Sequence, residues 1–153
     1  MRYKALLLCM LAGAAQAEDL YRDFGLQAMD ERGCVLGNAN VQAPTLTLMA
    51  AAYGESEERK GMALAQMKKA LEAGCPVDEP DQVGLSALNG AILYGEPELV
   101  AMLLEHDADP RRKIVSPKST ISGLDSFAFL DMLETRDGKR DRSAIRALLE
   151  GER

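Results

Sequence analysis

The chain has little of what chemistry at a site needs. It carries one histidine, His106, with no cysteine near it in sequence. A metal centre needs several ligands at suitable spacing, so none is expected. None of the three cysteines stand as Cys-x-x-Cys, the spacing that lowers a thiol pKa. Gly-x-Ser-x-Gly, His-Glu-x-x-His and phosphate-cradling glycine loops are missing. Glu55, Glu57 and Glu58 stand together, but they read as the solvated start of a helix rather than an acid/base pair. The expectation is a protein that is not an enzyme and holds neither cofactor nor metal.

Positive charge is also scarce. The full chain has 18 basic and 24 acidic residues, for a net charge of -6. An acidic surface disfavours nucleic acid and anionic lipid, which both need a basic one. After residue 17 there is no long apolar run, so no membrane insertion of the remaining chain is expected. What stands before it reads as a secretory signal peptide over residues 1–17. Arg2 and Lys4 open it, Ala5 to Ala12 form its apolar core, and Ala15-Gln16-Ala17 make a small-residue cleavage site. The run is too short to span a bilayer. Cutting after Ala17 leaves 16 basic and 24 acidic residues in a periplasmic chain long enough for one domain. Cys9 leaves with the signal, so Cys34 and Cys75 remain in a compartment where disulfides persist.

Repetition is the strongest feature present. Tyr53-Gly54-Glu55 recurs as Tyr94-Gly95-Glu96, and Gly33-Cys34 recurs as Gly74-Cys75 at the same offset. Residues 65–72, 98–105 and 143–150 share an apolar third place, a leucine seventh and a final glutamate. Within Gly84 to Pro110 the pattern predicts two short helices, about Ser86 to Tyr94 and Glu98 to Glu105, with a turn at Gly95. Neither can bury its apolar face alone.

Gly84-Leu85-Ser86-Ala87-Leu88, then Ala91, Gly95, Val100, Leu103-Leu104 and Ala108-Asp109 resemble one ankyrin repeat. That family's pattern is Gly-x-Thr-Pro-Leu-His, an Ala, a Gly turn, Val, Leu-Leu and Gly-Ala-Asp. The resemblance implies an all-α solenoid of about three helix-turn-helix repeats over residues 18–153. A helical cap would occupy residues 18–44, with Leu20, Phe24 and Met29 against the first repeat. The repeats would run over about 45–78, 84–110 and 123–150. Ser86, Ala87 and Asn89 depart from Thr, Pro and His, which weakens the first-turn bonding. Asp107 replaces a terminal glycine, which its access to left-handed backbone allows. Residues 55–60 lengthen the second helix of the first repeat, and the charged stretch from Thr135 to Arg142 replaces the third repeat's glycine turn.

The resemblance implies protein binding, with Gln82, Val83 and Arg111, Arg112 and Lys113 on projecting fingers. Tyr53 and Tyr94 take equivalent places, either facing a concave groove or packing against the neighbouring repeat. Met49, Met62, Met67, Met102 and Met132 read as core filling, and His106 as a surface residue at a helix end. A Cys34–Cys75 bond tying cap to first repeat is expected. Strict stacking opposes it, because helical elements lie about 8–10 Å apart whereas a disulfide needs Cα atoms roughly 4.4–6.8 Å apart. The function expected is a monomeric binding module, such as an immunity-type inhibitor of a toxin or an accessory to an exported enzyme. The alternative is a thiol or redox role centred on Cys34 and Cys75.

Overall fold

Between residues 25 and 44 turn chemistry outweighs helix propensity. The structure, a computed structural model, describes Arg22 and residues 24–152. The expected signal peptide, its cleavage at Ala17 and the cap residue Leu20 lie outside the described residues. Gly25 and Gly33 take positive φ, a conformation glycine adopts without strain. Asp30 accepts backbone N–H bonds from Arg32, Cys34 and Val35 with its two carboxylate oxygens, which rounds a loop. Asn38 does the same for Asn40 and Val41, an Asx turn. The result is an antiparallel sheet, β1 (Gln27–Ala28), β2 (Val35–Gly37) and β3 (Gln42–Pro44), in that order. Leu36 pairs with Ala28 on one side and Ala43 on the other. This corrects the expected helical cap. Residues 27–44 form strands and turns, and Met29 is 46% exposed rather than set against the first helix pair. The protein is therefore mostly helical with a small three-stranded sheet.

Six helices follow among the described residues: α1 (Thr45–Glu55), α2 (Glu57–Glu72), α3 (Ala87–Tyr94), α4 (Pro97–Glu105), α5 (Ser126–Arg136) and α6 (Ser143–Gly151). In α2, Ala63, Gln66, Met67 and Ala70 are the buried positions, the spacing of one helical face. α1 packs on α2 and α3, α3 on α4 and α5, and α6 on both α4 and α5. Met49, Met67, Leu88, Ile92, Leu103, Phe129 and Leu149 are fully buried in the core between them. Met102 is buried, and Met132 lies partly buried against the core. Such burial stabilises by roughly 1.5–3 kcal/mol per large side chain before entropy is counted.

The ends of the middle pair follow their sequence. Ser86 caps α3 by accepting from Asn89 N–H, while Asn89 Oδ1 accepts from Ser86 N–H. Asn89 also donates to Ser126 Oγ at 3.1 Å. The departures Ser86 and Asn89 thus form a complete capping box that reaches the next pair, rather than a weakened turn. Gly95 caps the other end in the left-handed region at φ 74°. Asp107 has φ 64°, the one positive value outside glycine among the described residues.

The first pair departs from expectation at Gly54. That glycine lies inside α1, and the chain turns at Ser56, which is extended at φ -159°. A Cβ on Gly54 would stand 2.8 Å from Tyr94 Cγ, so close approach of a ring rather than turning explains this glycine.

Candidate interaction surface

Three connections, residues 37–44, 79–83 and 110–122, are positioned by their own short bonds. Asp81 accepts from the N–H groups of Val83 and Leu85, and its own N–H donates to Leu85 O at 2.9 Å. The longer connection closes where Ile114 N–H donates to Leu124 O and Gly123 N–H donates to Ile114 O, each at 2.8 Å. Ile114 and Ile121 are buried beneath it, whereas Val115 stands 82% exposed. Buried anchors with a projecting tip make a preordered loop.

Successive connections meet edge to edge. Gln82 Nε2 donates to Gln42 O at 3.3 Å, joining the second connection to β3. Gly84, at φ 87°, lies under the next connection so closely that a Cβ would sit 2.1 Å from Val115 O. Asp109 N–H donates to Asp78 at 3.1 Å. Burial raises the Asp78 pKa against that bond and the nearby Arg112. Gln82, Arg111, Arg112 and Lys113 are all exposed, and Val83 is half-buried. Arg111 lies over the Phe127 ring at 5.4 Å, and Lys113 Nζ reaches Asp125 at 3.1 Å. Burial works against Asp125, but Ala128 N–H and Lys113 leave its carboxyl below the ordinary range.

The two tyrosines separate. Tyr53 is 4% exposed. Its hydroxyl donates to Glu98 at 2.6 Å, with Lys60 Nζ 5.2 Å from the ring centre. Burial, then Glu98, pushes the phenol well above its ordinary value. Tyr53 thus takes the packing role and fastens the first pair to α4; it presents no groove surface. Tyr94 is half-buried and lines a cavity of about 410 Å³ with Phe24, Leu48 and Arg59. The equivalence of the two residues in sequence does not carry into space.

Cys34 and Cys75 are joined, with Cα atoms 5.2 Å apart. The stacking objection fails because Cys34 precedes β2 and belongs to no stacked helix. Cys75, 8% exposed, follows the left-handed Gly74 at the end of α2. The bond closes one wall of an open trench of about 640 Å³ between the sheet and the 75–82 connection.

Sequence reasoning missed Val115, Glu98 and Arg142. Arg142, 4% exposed, donates to Ile92 O and Leu93 O at 3.2 and 3.1 Å, and Arg140 donates to Tyr94 O. The charged loop that replaces a glycine turn therefore covers the carbonyl end of α3, where cations are favoured. His106 Nδ1 lies 2.8 Å from Met102 O, an exposed helix-end position. Among the described residues, no cluster of three His, Cys, Asp or Glu could hold a metal. No helix there is long and apolar enough to cross a membrane. No protein-family model, curated protein or solved structure matches the chain.

Proposed function

We propose that the chain is an ankyrin-type stack of three helix pairs behind a β-sheet cap, acting as a monomeric, non-catalytic protein-binding module of the periplasm. Export follows from the signal sequence read at residues 1–17. An immunity-type inhibitor or an accessory to an exported enzyme are the roles such a module fills.

The observation that carries this reading is the edge-to-edge run of connections, Gln42 to Gln82 and Gly84 to Val115. It offers a partner a continuous, preordered ledge, so little ordering entropy is lost on binding. Contacts come from Gln82, Val83, Arg112 and Val115, with Tyr94 at the side; Tyr53 is left to the core. The helix-on-helix packing of α1, α3 and α5 supports the stack.

The test is capture of a cross-linked partner by the tagged chain from its own periplasm. Replacing Arg112→Ala and Val115→Asp together should weaken capture of the identified partner about tenfold, with an unchanged circular dichroism melt. Equal capture by wild type and variant would remove the ledge from the reading.

A further inference from the structure

The trench beside the disulfide borders the ledge at Gln42 and Gln82 and opens on the other side of them, toward residues 30–34 and 75–80. Its apolar surface comes from Pro44, Pro76, Pro80 and the Cys34–Cys75 bridge. Along its walls stand the carboxylates of Asp30, Glu79 and Asp81, against one guanidinium, Arg32. That guanidinium is turned toward Gly74 O, 3.5 Å from Nη1. Asp30 and Asp81 are fixed as acceptors of backbone N–H groups, so two of the three charges cannot swing away. Glu79 is exposed.

The edge of β3 on this side is already occupied. Pro44 has no N–H, and Gln42 O accepts the Gln82 side chain. Strand addition is therefore not the mode of binding; side chains entering the trench are. At about 640 Å³ it has the size of a ligand site. Being open rather than enclosed, it suits a length of chain better than a small solute.

We infer that this trench receives an extended segment of a partner protein in which an aliphatic or proline side chain is flanked by lysine or arginine. The apolar side chain lies against Pro44, Pro76 and Pro80, and the cations meet the fixed carboxylates. The inference rests on the protein-binding reading and names the chemistry of one contact within it.

The experiment is selection of random dodecapeptides displayed on phage against the full chain, followed by anisotropy with the enriched peptides. Enriched peptides should combine aliphatic or proline residues with lysine or arginine. Their affinity should fall on the order of tenfold in the double variant Glu79→Lys/Pro76→Ser, and also weaken as salt rises. Lys118→Glu, on the other connection, should leave it unchanged. Acidic or charge-neutral consensus peptides, or binding indifferent to the double variant, overturn the trench while leaving protein binding at the ledge intact. Occupation of the trench by the chain's own residues 18–23, seen as peptide binding gained on their removal, overturns it as well. Absence of any enriched peptide overturns it too, and only failure of periplasmic capture in addition would remove the broader reading.

Discussion

The first helix pair and the middle pair carry the same tripeptide, Tyr-Gly-Glu, and use it differently. In α3 and α4, Gly95 turns the chain in the left-handed region and Glu96 N–H closes on Ala91 O at 3.0 Å. In α1 and α2, Gly54 stays helical and serves as the bare surface on which Tyr94 rests. The tyrosines diverge with their glycines, Tyr53 going into the core and Tyr94 to its margin. At the far ends the pairs converge again. Gly74 and Asp107 both take positive φ, followed by matching bonds from Cys75 N–H to Ala70 O and from Ala108 N–H to Leu103 O, both 3.0 Å. A shared motif thus specifies a position within a helix pair, while the neighbouring pair decides what each side chain does there.

The difference between the pairs can be broken most severely at the disulfide, which ties the sheet to the first pair alone. Replacing both Cys34 and Cys75 by alanine should cost about 3–4 kcal/mol for a closed loop of this length, read from urea melts. Non-reducing peptide mapping should recover the two cysteines as one linked fragment. Gly54→Ala comes next. Tyr94 must move, at a cost of roughly 2 kcal/mol, and Tyr94→Ala should absorb much of it in a double-mutant cycle. Additive losses would deny the contact.

Tyr53→Phe removes the bond that fastens the pairs together and should cost about 1–2 kcal/mol near neutral pH. The phenol's pKa is raised in the folded state, so its contribution is complete below the ordinary value of 10.0 and is lost as pH climbs above it. The gap between wild type and variant should be flat from pH 6 to 9 and narrow in more alkaline solution; a constant gap would refute the buried hydroxyl. The smallest effect is Asp107→Gly, which relieves a left-handed non-glycine and should stabilise by about 0.5–1 kcal/mol. Thermal melts showing no gain would mean that Asp107 is unstrained.

Much of the helical body was legible. The middle pair is predicted to within a residue or two because its caps are local: Ser86, Gly95 and Asp107 each act on their own turn. The pairing of Cys34 with Cys75 is legible from the expected signal sequence and from cysteine number, whereas its geometry required a sheet that the helical expectation had excluded. That sheet was hidden because β1 and β2 are only two and three residues long, too short for alternation to show. Their structure depends on Asp30 and Asn38 closing turns. Val115 stayed hidden for another reason: its exposure depends on bonds between residues 114 and 124 that no periodicity marks. Tyr53 and Tyr94 look interchangeable in sequence because what separates them, Glu98 taking the Tyr53 hydroxyl and Gly54 lying against the Tyr94 ring, is contributed from distant parts of the chain.

Arg140 and Arg142 give the last pair a hold on its predecessor that runs backwards along the chain. A ribosome finishing α3 leaves the carbonyls of Leu93 and Tyr94 waiting for donors nearly fifty residues away, while Ile92 O already has the Gly95 N–H. The end of α3 therefore gains its last donors only once the final helix pair is in place. A nascent chain halted before residue 140 should remain frayed at α3, and proteases should find it there.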